Sequence, residues 1–377
     1  KGFCGIFEVA RNELRDDAFE SQLNVSDEDV VPILDGNLVS LRDGSVRTRT
    51  PQDLFSFECP VRFLGKEHPC AHANRFFKEV FIGDPALIDY AQQLLGYCLS
   101  GSSVAKAFFI FCGKGNNGKT TLIEMMKDMM GSAWYSPCDK ELFLKQAKSR
   151  GRDAASPSLM VLKGRRLVSC CETSSDQVLD EPQVKLLTGG DALVGRKLHK
   201  DTECFTNRAK VIMLTNDLPL YNKDSVALQQ RIKMLPFLAS FQACPGPAPH
   251  VYQADKTFVE ALRSQHLSEV FTLLVLGANR WYAADCNLVE PKLCSDALEM
   301  ELEKQNHLDA FVSENYERKE RSAINARQFH DAFKEWCTEN GWVRPRPCDI
   351  EKRMVELGYP AKRSNRSRDY ENIALKS

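Results

Sequence analysis

Eight consecutive residues carry the plainest chemistry in this sequence. Gly113, Lys114, Gly115, Asn116, Asn117, Gly118, Lys119 and Thr120 satisfy the spacing G-x-x-x-x-G-K-[ST] at every fixed position. Glycines in such a loop let backbone N–H groups converge on phosphate oxygens. The lysine reaches the β and γ oxygens, and the threonine hydroxyl suits Mg²⁺. The apolar run Ala107 to Cys112 precedes the loop and reads as a strand buried on both faces. Helical periodicity resumes from Thr121 to Met130. Strand, glycine-rich turn and helix in that order point to a site for ATP and Mg²⁺ that extends to Thr121.

Hydrolysis needs more than a cradle. A carboxylate must handle the metal and the attacking water, and the run Arg166 to Cys171 ends in Glu172, which meets that need beside Thr120. The usual acidic pair is absent, because Cys171 occupies the neighbouring position. A third apolar run, Val211 to Thr215, ends in Asn216, whose amide suits a γ-phosphate or a water. Phosphoryl transfer gains most from a cation on the developing charge, often supplied by a neighbouring subunit. Arg231, just before the apolar run Ile232 to Phe237, is the candidate for that finger. Each of these three also has a plainer reading: a solvated strand-end carboxylate, a turn asparagine and a salt-bridging surface arginine.

The elements that must position these residues form an α/β pattern with a parallel sheet, with a helix from Glu181 to Leu187 between the second and third runs. Before the core, apolar residues from Arg75 to Leu99 recur at helical spacing, broken at Gly83, Asp84 and Pro85, as a helical collar would. Asn37 to Leu41 reads as a short strand turned by Asp43 and Gly44. After Phe237, a stretch with Pro245, Pro247 and Pro249 reads as a loop, followed by helices to about Gln305. An amphipathic helix from about Ala326 to Asn340, another near Ile350 to Leu357 and a basic strand-like end suggest a small winged-helix domain. The expected divisions are 1–99, 100–240, 241–305 as a lid or linker, and 306–377.

Bulk charge excludes little: 50 Lys and Arg nearly cancel 51 Asp and Glu, so any nucleic-acid contact must come from local clusters. Fourteen cysteines scattered through a long chain with no long apolar span fit reduced thiols in an intracellular protein, away from membranes. The chain starts at Lys1, which suggests a piece of something longer. Cys59, His68, Cys70 and His72 are residue types that zinc uses, although their spacing matches no compact finger. Buried Cys and surface His around a turn at Pro69 is the competing reading.

Taken in order, several segments resemble one family. They are Leu94 to Leu99, the loop GKGNNGKT, the strand ending in Glu172, KLLTGGD at 185–191, KVIMLTNDLP at 210–219 and RIKMLPF at 231–237. This order is similar to that of the superfamily 3 helicases, and specifically to the primase-helicases of phages, plasmids and large DNA viruses, in the poxvirus-type branch. The resemblance covers roughly Leu34 to the C-terminus. It implies an AAA+-like core acting as a hexameric ring on single-stranded and forked DNA at a replication site, with a primase domain plausible in the same longer chain. By the same resemblance Lys119 and Thr120 take the Walker A positions, Glu172 the Walker B position and Asn216 the sensor position. The family often has two arginines before the final strand, whereas Gln230 precedes Arg231 here.

In family terms the segment after Asp191 is a hairpin directed into the ring channel, with Arg196, Lys197, His199 and Lys200 at its tip. Physically, that cluster suits phosphates, and six copies would line a pore. A second cluster, Lys362, Arg363, Arg366 and Arg368 with Tyr370, lies where a wing would touch duplex, or forms a soluble tail. Two alternatives share the phosphate loop. One is a phosphotransferase acting on a small molecule, and the other is a DNA-binding platform that nucleotide merely organises.

Overall fold

The computed structural model describes residues 23–24, 28–145, 157–173, 177–196, 202–221, 225–339, 347–363 and 368–376. An antiparallel sheet opens the chain, with β1 (Val30–Ile33), β2 (Asn37–Ser40) and β3 (Val46–Thr48). Two helices follow, α1 (Ala71–Val80) and α2 (Pro85–Leu99). The break between them falls at Gly83, where φ is +73°, and Asp84 caps α2 by accepting the Leu87 N–H, with Pro85 at the first helical position.

The central sheet uses β4 (Phe108–Cys112), β5 (Tyr135–Pro137), β6 (Leu167–Thr173), β9 (Lys210–Thr215) and β10 (Ile232–Pro236). Their spatial order is β10-β4-β9-β6-β5, and every neighbouring pair is parallel. Between them lie α3 (Lys119–Trp134), α4 (Glu181–Thr188) and the antiparallel hairpin β7 (Ala192–Arg196) and β8 (Thr202–Thr206). Side chains of the sheet alternate between two cores. Phe109, Phe111, Ile212, Leu214 and Leu235 enter one, and Phe108, Ile110, Val211, Met213 and Met234 enter the other. Continuous apolar runs are what a strand covered on both faces requires, so the expected α/β class with a parallel sheet is met.

The proline-rich stretch is a loop, but it is flanked by two short strands that periodicity did not reveal, β11 (Ser240–Gln242) and β12 (Val251–Gln253), which pair in parallel. Then come α5 (Lys256–Ser264), α6 (Leu267–Ala283) and α7 (Lys292–Asn315). Helix α7 runs unbroken across position 305, where the sequence suggested a boundary. The chain finishes with β13 (Tyr316–Asn325), α8 (Ala326–Glu339), α9 (Pro347–Glu356), β14 (Ala361–Arg363) and β15 (Arg368–Leu375), the strands forming an antiparallel sheet ordered β13-β15-β14. Phe311, Phe329, Phe333, Ile350, Tyr370 and Ile373 give this segment its own core.

Helices that the sequence places in separate regions share one core. Side chains of α1, α2 and α6 pack together against the first face of the central sheet. Close approach of α2 to α6 depends on a reciprocal pair of glycines. A Cβ on Gly277 would lie 2.1 Å from the Gln92 carbonyl oxygen, and one on Gly96 would lie 2.4 Å from that of Leu274. Both obstacles are backbone, so relief requires the helices to part. Gly277→Ala is expected to destabilise the protein by about 3 kcal/mol, read as a lowered urea midpoint. Gly246→Ala, with nothing within 4 Å of its Cβ, serves as the neutral control.

Two buried cations tie the start of the sheet to the preceding segments. Arg166 donates to the carbonyls of Val30 and Leu99, at 3.0 and 2.6 Å. Lys210 donates to the carbonyls of Ser100, Ser102 and Arg208. Burial pushes the Lys210 ammonium down to about 7. Lys210 begins the KVIMLTNDLP segment, yet its work is at the end of β9 away from Asn216.

Candidate functional site

The glycine-rich loop leaves the carboxyl end of β4, which lies between β9 and β10 inside the sheet. Open α/β sheets bind ligands at this edge. The loop is braced on both sides. Gly113 N–H donates to the Thr215 carbonyl of β9 (3.2 Å), and Phe241 N–H donates to the Asn116 carbonyl (2.7 Å). Asn117 is buried and its amide donates to the carbonyls of Lys114 and Phe237, at 3.3 and 3.4 Å. Asn117 is therefore a brace, a role that the spacing alone does not separate from ligand contact.

Glycine is required at two loop positions. A Cβ on Gly113 would stand 2.3 Å from Asn117 Nδ2 and 2.4 Å from the Phe237 carbonyl oxygen. Gly118 has φ +90°, and its Cβ would meet Val80 of α1 at 2.8 Å. Gly115 faces open space.

Lys119 begins α3 and is only 7% exposed. Its Nζ donates to the Gly113 carbonyl, and at 3.5 Å to Asn216 Oδ1. Burial lowers its pKa, against a smaller opposing effect of the Cys112 thiol. Thr120 and Asn216 are exposed at the same edge. Three of the sequence-selected residues thus converge: Gly113, Lys119 and Asn216.

Glu172 lies on β6, next to β9 in the sheet. In the pairing of these strands, Cys171 faces Leu214 and Thr173 faces Thr215, so position 172 is the extra residue of a bulge. Bulges commonly mark functional edges, where they re-aim a side chain. Cys171 is exposed beside it.

Arg231 sits elsewhere. Ile232 pairs with Phe108 and Pro236 with Cys112, which puts Arg231 at the opposite end of the sheet from the loop of its own chain. Its Nη1 donates to the Ala227 carbonyl (2.8 Å), and its Nε is buried without a hydrogen-bond partner among the described residues.

Two cavities flank the loop. One of about 510 Å³ is lined by Thr120, Glu124, Tyr135, Cys138, Ser169 and Cys171. The other, about 700 Å³, lies between the loop residues Asn116 and Gly118 and the side chains Phe76, Glu79 and Phe258. Those last three come from α1 and α5, far away along the chain. Nothing in the sequence signals that they join.

The remaining expectations divide. Arg196 closes β7 opposite Thr202, on the exposed face of the hairpin, while Lys197, His199 and Lys200 lie outside the described residues. In the C-terminal basic cluster, Lys362 pairs with Glu371 at 3.0 Å and Arg368 with Glu351. Tyr370 is buried with its hydroxyl 2.8 Å from His330 Nε2, so it is a core residue and no partner of that cluster, and Arg366 lies outside the described residues. Of the four suggested zinc ligands, His68 Nδ1 and Cys70 Sγ are 3.4 Å apart. Cys59 is buried beside β1, and among the described residues no convergent group joins it to the others. Among the described residues no helix is long and apolar enough to cross a membrane.

The class defined so far is an α/β protein with a lysine-bearing glycine loop at the carboxyl edge of a parallel sheet. Comparison with known proteins narrows it. Residues 111–231 match the family of unknown function DUF5906. "Putative helicase L207/L206" of Acanthamoeba polyphaga mimivirus is 26% identical over 320 residues, which is 81% of this chain and 33% of that protein. "Primase D5" of fowlpox virus is 24% identical over 205 residues, 51% of this chain and 24% of that protein. The solved apo structure of the NrS-1 C-terminal region is 13% identical with a TM-score of 0.45, covering 85% of this chain and 80% of that one. The chain thus spans a third or less of the length of these curated relatives. The resemblance to the primase-helicases of large DNA viruses is borne out by these relatives.

Proposed function

We propose that this chain is the ATP-hydrolysing motor of a superfamily 3, AAA+-like DNA helicase that works as a homo-hexameric ring on single-stranded DNA. The observation that carries this reading is the meeting of Lys119 Nζ, the Gly113 carbonyl and Asn216 at the carboxyl edge of a parallel sheet. The curated names of the relatives supply the helicase and primase context. The same reading extends to a primase in the same longer chain and to work at a viral or phage replication site inside a cell.

The residues present fit a triphosphate with its metal. Gly113 and Gly118 leave no room for a side chain where the backbone must curl, while Gly115 is open to a ligand. Residues Gly113 to Thr121 would hold ATP. Thr120 and Glu172 would take Mg²⁺, which supplies charge neutralisation when bound. Lys119 is poised to exchange its carbonyl and amide partners for phosphate oxygens, a stronger acceptor for a desolvated ammonium. Asn216, adjacent to it, orients the attacking water or the γ-phosphate. Glu172, on its bulge one strand away, accepts the proton of that water.

The order α7, β13, α8, α9, β14, β15, with its three strands in one antiparallel sheet, supports reading the C-terminal segment as a winged helix that contacts the fork. The hairpin β7–β8 would grip the translocating strand through Arg196, Lys197, His199 and Lys200.

Particle mass tests the ring. With ATP and a single-stranded oligonucleotide, sedimentation or light scattering is expected to give six chains per particle. A monomer under every condition would favour the small-molecule phosphotransferase.

A further inference from the structure

The start of α1 meets the α5–α6 junction at a compact group of two imidazoles and a carboxylate. Glu269, in the first turn of α6, is buried. Its Oε2 accepts the backbone N–H groups of His72 (2.8 Å) and Ala73 (3.2 Å), capping α1. Its Oε1 lies 3.0 Å from His72 Nδ1 and 2.9 Å from His266 Nδ1. The two rings are stacked, with centroids 3.5 Å apart and planes 20° from parallel. One donor atom from each of the three residues lies within 4.8 Å of the others.

Capping α1 needs only the carboxylate and two backbone N–H groups. Two imidazoles from distant segments aiming the same nitrogen at one oxygen are not required for that purpose. Burial works against the Glu269 charge, but hydrogen bonds from His72, Ala73 and His266 outweigh it and hold the carboxyl below its ordinary range, so it is an anion. Imidazole nitrogen with carboxylate oxygen is a donor set for zinc-like divalent ions.

We propose that His72, His266 and Glu269 form a binding site for a zinc-class divalent cation, with three protein ligands and a remaining position open to water. The ion takes the place of the Nδ1 protons, and each neutral ring carries its one proton on Nε2 instead, so the exchange at the two imidazoles is a change of tautomer. Ligands around a four-coordinate zinc stand roughly 3.3 Å apart, on the scale of the present group, and the stacked rings must turn apart for both Nδ1 lone pairs to face one ion. The backbone N–H groups on Oε2 remain and orient the carboxylate from behind. The His72 side chain is 47% exposed, which gives the ion an entry path. Of the four ligands that the sequence suggested, only His72 enters this set. The other two come from nearly two hundred residues further along, where sequence spacing cannot point.

The site would pin α1 to the α5–α6 junction. These segments carry Phe76 and Phe258, both of which line the 700 Å³ cavity beside Gly118. A bound ion therefore fixes the width of that cavity, independently of what occupies the phosphate loop.

Tag-free protein, stripped by chelator, should be titrated with ZnCl₂ by calorimetry, and with CoCl₂ for its visible spectrum. One zinc per chain is expected, with a raised Tm and cobalt bands of a low-coordinate nitrogen and oxygen site. His72→Ala, at a half-exposed position, should keep its circular dichroism and bind zinc at least ~100-fold more weakly. His68→Asn should bind as the unaltered protein does. Equal affinity for the unaltered chain and His72→Ala, loss in His68→Asn instead, or no stoichiometric uptake would each overturn the assignment.

Discussion

Replacing Lys119 with alanine is expected to lower ATP turnover at least ~100-fold, the scale on which loss of one preorganised charge donor acts, while leaving the fold intact. The side chain is almost fully withdrawn from water, yet among the described residues its hydrogen-bond acceptors are a loop carbonyl and the Asn216 amide oxygen. An ammonium so placed is under-solvated until a phosphate arrives. Its interaction with the transferring group is thus worth more than a surface lysine's. Alanine favours the first turn of α3, and the loop keeps the braces from Thr215, Phe237 and Phe241, so unfolding should be no easier. Phosphate release and circular dichroism check the two halves separately. Undiminished turnover would remove the site assignment.

Arg231→Ala is expected to cost about 10³-fold or more in turnover, the range for a catalytic arginine in phosphoryl transfer, with little effect on nucleotide binding. The register of β10 against β4 places Arg231 one strand length from the loop of its own chain, roughly 16 Å at 3.3 Å per residue. It cannot serve that loop. If it serves any loop, the loop belongs to a neighbour. Mixing Arg231→Ala subunits with Glu172→Gln subunits should then restore part of the activity, because some interfaces combine an intact arginine with an intact carboxylate. No recovery at any ratio would argue against a role across subunits. Gln230 in place of a second arginine makes this dependence on Arg231 sharper.

Much of the parallel-sheet region was legible because its signals are local. Apolar runs at Phe108 to Cys112 and Val211 to Thr215 announce strands buried on both faces, and the loop announces itself by its glycines. The arrangement of strands was not legible. Only the sheet order shows that Gly113 and Asn216 leave adjacent strands and that Arg231 lies at the far end. The bulge at Glu172 is a register feature that depends on β9, so β6 alone does not betray it. Helices α1 and α2 read correctly as helices, but their packing on α6 depends on Gly96 and Gly277, two glycines inside helical patterns that could equally mark flexibility. Tyr370 misled because its aromatic ring sits among basic residues in sequence, while the strand pleat turns it into the core. The metal-ligand types at 59–72 could not be resolved from their spacing, since the residues that gather with His72 lie on α6 and at its entry.

In the proposed function, hydrolysis at Lys119 would move a DNA strand gripped by the β7–β8 hairpin. The most direct measurement is ATP-dependent release of a labelled strand from a forked duplex, comparing the unaltered chain with a variant carrying Lys197→Ala and Lys200→Ala. The unaltered chain should release the strand, and the double variant should hydrolyse ATP without DNA stimulation and release none. Equal release and equal DNA-stimulated hydrolysis by both proteins would contradict the account.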